Sequence, residues 1–183
     1  MNHRILLLTG LITLGHIAHA EEGTRYPLAA IEDGDTITIQ IGDKTKRLQL
    51  SGIDAPEDIV NPKLAKDRER TQLPADQLLA LGQAATTHLK QLLAPGDEVT
   101  VVGDLGASDR YGRIPVFIYK GERSLNEAMI IDGYATVLSR SKIAAEIKNN
   151  LSTLQQQAQA AKRGLWGAYP EATLRWSGQS KPQ

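Results

Sequence analysis

The period of apolar and polar residues changes several times along this chain, and the changes predict its elements. Asp35 to Ile41 (D-T-I-T-I-Q-I) alternates strictly, which is the signature of a strand with one buried face. Gly42-Asp43-Lys44 reads as a turn. Arg47 to Ile53 then alternates again, with Leu48 and Leu50 on one face and Arg47, Gln49 and Ser51 on the other. Together these runs predict a β-hairpin. Tyr26 to Glu32, just before it, reads as a strand or an irregular lead-in.

Beyond the hairpin the alternation stops. Asp58 to Pro74 is polar, contains Pro62 and Pro74, and carries the mixed-charge stretch from Lys63 to Arg70. It is expected as a long loop, either a solvated surface or a substrate-side flap. From Ala75 to Leu93 the leucines recur at helical spacing (Leu78, Leu81, Leu89, Leu92), and Pro95-Gly96 ends the run. His88 falls inside this helix, where a structural role is expected. Glu98 to Gly103 and Arg113 to Lys120 predict two more strands, with Pro115 pointing to an edge or a bulge. Ser124 and Glu127 form a capping box for a short helix to Ile131, closed by Gly133. A longer helix is predicted from Ile143 to Lys162, after which Leu165 and Trp166 pack back onto the core. Strands followed by helices, without βαβ alternation, fit a small antiparallel barrel decorated by about three helices.

The N-terminus belongs to a different class of segment. Arg4 supplies positive charge, Ile5 to Leu14 is apolar, and Ala18-His19-Ala20 is an A-x-A cleavage site, so residues 1–20 read as a signal peptide. The apolar run is too short to span a bilayer, and the mature form is expected to be an exported, periplasmic or secreted protein without a membrane anchor. Residues 21–28 are then a lead-in, 29–168 one domain, and 169–183 a flexible tail; a monomer is expected. Removing the signal takes away one of the 21 basic residues and leaves the 21 acidic ones, a net charge of −1. Any affinity for a polyanion must therefore come from a local patch.

The chain has no Cys, and three of its four His lie in the signal, which leaves His88. That excludes disulfides, thiolate sites, two-His metal motifs and a Cys nucleophile. Carboxylates, Arg, Lys and hydroxyls remain for chemistry. Two acidic clusters stand out, Asp33-Gly34-Asp35-Thr36 and Gly52-Ile53-Asp54-Ala55-Pro56-Glu57. They flank the predicted hairpin, which can bring their carboxylates together, and such a set suits a hard cation such as Ca²⁺. A third cluster, Asp109-Arg110-Tyr111-Gly112-Arg113, lies between two later strands.

With these clusters in order, followed by S-L-N-E-A-M-I-I-D-G-Y-A and A-K-R-G-L-W, the chain resembles the staphylococcal nuclease (thermonuclease) family from about Ala29 to Trp166. The resemblance implies a five-stranded antiparallel OB-fold barrel and Ca²⁺-dependent hydrolysis of DNA or RNA. It places Asp35, Asp54 and the carbonyl of Ala55 as metal ligands, Glu57 as general base, and Arg113 as the group stabilising the phosphate. Arg110 and Tyr111 match positions near the substrate. Gln49 stands where the family usually carries a second catalytic arginine. That departure implies an impaired enzyme unless Arg47, two residues earlier on the same strand face, takes over the role. The alternative expectation is a non-catalytic OB-fold module that binds nucleic acid or a protein.

Overall fold

A computed structural model describes residues 23–179. The expected signal peptide and the end of the tail lie outside the described residues. Strands β1 (Thr24–Ile31), β2 (Thr36–Ile41), β3 (Lys44–Leu50), β5 (Glu98–Val102) and β6 (Ile114–Lys120) form a closed barrel in the order β3-β2-β1-β5-β6. The stretch read as a lead-in is thus mostly barrel strand. Its first half pairs with β5 and its second half with β2, and the register shifts between Leu28 and Ala30, where the strand passes from one neighbour to the other. Neighbouring pairs are antiparallel as expected. The pair that closes the barrel is parallel, with Leu48 opposite Ile114 and Leu50 opposite Val116. Pro115 sits at the start of β6, where a missing N–H is tolerated. A two-residue strand, β7 (Arg123–Ser124), extends the sheet beyond β6.

The hairpin β2–β3 forms as predicted; its register sets Thr36 opposite Gln49, with a two-residue Gly42-Asp43 turn. Its inward positions Ile37, Ile39, Leu48 and Leu50 are almost fully buried and join Leu28, Val99, Val101, Val116 and Ile118 in the barrel core. Each such side chain contributes about 1.5–3 kcal/mol by leaving water. Two short strands, β4 (Ile53–Asp54) and β8 (Thr136–Val137), pair antiparallel and carry the chain from the hairpin into the second acidic cluster.

Helices surround the barrel. In α2 (Ala75–Leu92) the buried residues Leu78, Leu81, Gly82, Ala85, Thr86 and Leu89 make one stripe at helical spacing. Helix α3 (Leu125–Ile131) starts at the predicted cap, where the Ser124 hydroxyl accepts from the Glu127 N–H. Its Asn126 is wholly buried: Oδ1 accepts from the Ile118 N–H at 3.0 Å, and Nδ2 donates to the Ser51 carbonyl at 2.8 Å. This side chain joins α3 to the barrel and to the turn leading to β4. Helix α4 (Ala145–Ala160) follows, and α5 (Leu165–Ala168) is a single turn that buries Leu165 and Trp166.

Two expectations are corrected. The supposed loop after Asp58 contains a helix, α1 (Pro62–Thr71). Asn61 caps it, accepting from the N–H groups of Lys63 at 3.0 Å and Leu64 at 2.9 Å, with Pro62 in the first turn. Its buried stripe is Leu64, Asp67 and Thr71, so only one apolar residue marks it. The segment expected as a tail is the helix α6 (Pro170–Ser177), whose Trp176 is 3% exposed. Trp176 packs with Leu64, Leu73, Leu78, Leu81 and Leu165 in a second core between α1, α2 and α6.

Candidate active site

The first acidic cluster is a tight turn entering β2. Asp33 Oδ1 accepts from the Asp35 N–H at 2.9 Å, the local bond that Asp makes two residues on. Gly34 is needed here for space. A Cβ on it would lie 2.8 Å from the Cβ atoms of both Ala55 and Ala85, so only glycine lets the turn press against α2 and the second cluster. Asp35 is buried at 4% exposure; Oδ2 accepts from the Ala55 N–H at 3.0 Å and Oδ1 from the Thr36 hydroxyl at 3.0 Å. Burial, reinforced by the charge of Asp33, pushes Asp35 up to about 7. Burial also raises Asp33 and Asp54.

The second cluster converges on a cation supplied by the chain itself. The Lys63 ammonium lies 3.1 Å from Asp54 Oδ1, and donates to the Ala55 carbonyl at 3.0 Å and to Glu57 Oε1 at 2.6 Å. Desolvation would lower its pKa, but the charges of Asp54, Asp35 and Glu57 outweigh that and raise it. Glu57 Oε2 accepts from the Asn61 side-chain amide, so both oxygens of this carboxylate are engaged. The backbone of Glu57 rests directly on Gly82 of α2.

The third cluster forms the basic side. Asp109 accepts from the Tyr111 and Arg113 N–H groups at 2.8 and 2.9 Å, and its Oδ2 receives Arg113 Nε and Nη2 at 3.0 and 2.9 Å. Burial opposes ionisation of Asp109, yet these hydrogen bonds hold its carboxyl below the ordinary range. The Tyr111 ring is 56% exposed, with the guanidinium carbons of Arg110 and Arg113 at 4.8 and 5.3 Å from its centroid. The positive charge of Arg113 favours the ionised forms of both Asp35 and Glu32, although burial keeps Asp35 raised and the Arg47 hydrogen bond is the main cause that lowers Glu32.

Arg47 is held on this side too. Its Nε donates to the two oxygens of Glu32 at 2.9 and 2.7 Å, its Nη2 pairs with the same carboxylate, and Nη1 reaches the Tyr111 carbonyl at 3.4 Å. It is therefore committed to Glu32. Gln49 lies two residues along β3 on the same outward face, half-buried, opposite Thr36 and Pro115.

The residues singled out in the sequence thus fall into two groups. Asp35, Asp54, Ala55 and Glu57 form an acidic corner; Arg47, Arg110, Tyr111 and Arg113 form a basic rim. Among the described residues no three His, Cys, Asp or Glu side chains share one metal-holding point. What does converge is mixed: two carboxylates and one carbonyl around the Lys63 ammonium, with Asp35 one hydrogen bond behind through Ala55. All are hard oxygen donors already gathered about one positive charge, so they fit a hard cation. Sequence reasoning missed Lys63, Asn61 and Glu32. The Asn61-Pro62 pair was a readable signal, because a capping residue followed by proline marks a helix start.

His88 has the structural role expected. It stacks on Tyr134 with ring centroids 4.1 Å apart, and its Nε2 lies 3.0 Å from Asp132 Oδ2.

Comparison with known proteins identifies the family. Residues 47–168 match the model for the staphylococcal nuclease homologue family. A thermonuclease of Staphylococcus hyicus is 27% identical over 153 residues, covering 82% of this chain and 79% of that protein. A thermonuclease of Staphylococcus intermedius is 25% identical, covering 79% and 77%. The endonuclease YhcR of Bacillus subtilis is 30% identical over 143 residues, which are 74% of this chain but 11% of that much longer protein. The matched family span contains Asp54, Ala55, Glu57 and Arg113, and the chain belongs to the staphylococcal nuclease homologue family.

Proposed function

We propose that this chain is an exported, metal-assisted nuclease that hydrolyses phosphodiester bonds in DNA, RNA or both. One observation carries the reading: the oxygens of Asp54, Ala55 and Glu57 converge on a cation position beside buried Asp35, within electrostatic reach of the Arg113 guanidinium. The family relatives named as thermonucleases and an endonuclease support the same reaction class.

Each residue then has a physical task. Asp35, Asp54 and the Ala55 carbonyl hold the ion, with Ca²⁺ the expected one because the donors are all oxygen. The bound ion supplies Lewis-acid stabilisation of charge on the phosphate oxygens. Glu57 takes the proton from the attacking water, which requires one of its oxygens to be released from Lys63 or Asn61. Arg113 leaves Asp109 for the phosphate, where its planar fork meets two oxygens and offsets the charge that develops there. Tyr111, exposed and flanked by two guanidinium groups, offers a face for a nucleobase, and Arg110 adds charge along the backbone.

Gln49 favours a second reading, a barrel that binds nucleic acid or a protein without cutting. An arginine that stabilises a phosphoryl transition state is worth about 10³–10⁵ in rate, and Gln carries no charge. The two readings separate in one assay. The purified mature chain is incubated with single-stranded DNA and with RNA, in Ca²⁺ or in chelator. The nuclease reading expects Ca²⁺-dependent fragments that disappear with Glu57→Ala. Binding without fragments under all conditions would sink it.

A further inference from the structure

We propose that Lys63 is a tethered cation that latches the acidic corner shut, and that a divalent ion must expel it to load the site and free Glu57. The inference rests on the cation-site reading above and extends it to Lys63, which is neither an ion ligand nor a catalytic group in that reading.

Three features set Lys63 apart from an ordinary surface lysine. An ammonium has three N–H donors, and here they meet three oxygens from three residues: Asp54 Oδ1 at 3.1 Å, the Ala55 carbonyl at 3.0 Å and Glu57 Oε1 at 2.6 Å. Two of these are oxygens assigned to the metal and the third belongs to the general base. The backbone is also pre-set for this reach. Asn61 caps α1 through its Oδ1 while its Nδ2 donates to Glu57 Oε2, so one side chain fixes both the start of the helix and the carboxylate that Lys63 meets. Finally, the Lys63 side chain is 39% exposed. It has an open side through which its flexible four-carbon stem can leave without unfolding the helix.

The consequence is a competition. A divalent ion on the oxygens of Asp54 and Ala55 and an ammonium on the same oxygens repel each other strongly, so one excludes the other. While the latch is shut, Oε1 of Glu57 is paired with the ammonium and Oε2 accepts from Asn61, so the base is held by both partners. Ion binding therefore does two things at once: it fills the site and releases Oε1 of the base. A binding-competent state populated in about one molecule in ten lowers the apparent ion affinity about tenfold. Lys63 thus sets the ion concentration at which the site switches on.

Calorimetric titration of the mature chain with Ca²⁺ tests the competition directly. Lys63→Gln shortens the stem and removes the charge, and it should bind Ca²⁺ at least about tenfold more tightly than the wild type, as a latch shut nine-tenths of the time requires. Equal or weaker binding by Lys63→Gln, with clear binding by the wild type, overturns the latch and leaves the cation site standing. Absence of Ca²⁺ binding by both proteins overturns the cation site and the latch with it. A second measurement needs no variant. Acetylation of wild-type amines, read by peptide mass spectrometry, should be slow at Lys63 and several-fold faster in saturating Ca²⁺, with exposed Lys44 unchanged. A Lys63 rate that is unchanged or lower in Ca²⁺ refutes expulsion.

Discussion

Gly82 sits where α2 meets the acidic corner, and replacing it by alanine sets two effects of known size against each other. In a helix interior Gly→Ala stabilises by about 1 kcal/mol through backbone entropy. Here the added Cβ would lie 2.1 Å from the Glu57 carbonyl oxygen, 2.2 Å from its carbonyl carbon and 2.5 Å from the Asp58 nitrogen. All three are backbone atoms, so no side chain can rotate out of the way. Carbon atoms normally settle about 3.5–4.0 Å apart, and the helix and the Glu57 segment must separate by about 1 Å or more. Overpacking of this kind costs about 1–3 kcal/mol, occasionally more. The steric term wins. Gly82→Ala should lose up to about 2 kcal/mol in urea unfolding, the difference of these two terms. It should also displace Glu57 from Lys63 and Asn61, so cleavage falls further than the folded fraction explains. A Gly82→Ala protein as stable as the wild type or more so would refute the close contact between α2 and the acidic corner.

Other outcomes follow from the same structure. Trp176→Ala should cost about 3–5 kcal/mol, as expected for a large aromatic lost from a core, seen as a lower urea midpoint; a loss below about 1 kcal/mol would mean α6 is not part of the fold. Gln49→Arg should raise cleavage at least about tenfold, a small part of what such an arginine contributes elsewhere. Arg47→Ala should leave the cleavage rate nearly unchanged because Arg47 is committed to Glu32. Collapse of activity in Arg47→Ala with no gain in Gln49→Arg would reverse that assignment. The hydrogen bond from Arg47 lowers the Glu32 pKa below its ordinary 4.5. An acid with a depressed folded pKa adds stability above its unfolded value and loses it as pH falls through the folded value. The wild type should therefore lose up to about 1 kcal/mol more than Arg47→Ala as pH is lowered from about 6 through the carboxylate range. Parallel stability curves for the two proteins would dismiss this pair as a contributor.

Much of the fold was legible because the signal is local. Alternation over Asp35–Ile41 and from Arg47 to Leu50 marks a hairpin whichever way the rest of the chain packs, although the strand stops at Leu50 and not at Ile53. The leucine stripe of α2 and the Ser124–Glu127 cap are equally self-contained. The misses share one cause. Helix α1 shows a single apolar residue on its buried stripe, with Asp67 and Thr71 at the other positions, so its periodicity is invisible in hydropathy. Helix α6 is short, and Trp176 declares itself only once Leu64, Leu78 and Leu81 surround it.

Sequence alone determined the order of motifs, the pool of oxygen and guanidinium groups, and the substitution of Gln49 for an arginine, because these are matters of residue identity. It also brought Asp35 and Asp54 together in prospect, since a hairpin joins its own ends. Tertiary structure decided who pairs with whom. Lys63 comes from a helix whose apolar periodicity is almost absent and reaches the oxygens of Asp54, Ala55 and Glu57. Arg47 turns toward Glu32, whose position depends on the turn between β1 and β2. Gly34 and Gly82 carry no chemistry, but without their missing Cβ atoms α2 could not press the two acidic clusters together. Such facts depend on contacts between segments far apart in the chain, and the local sequence pattern holds no record of them.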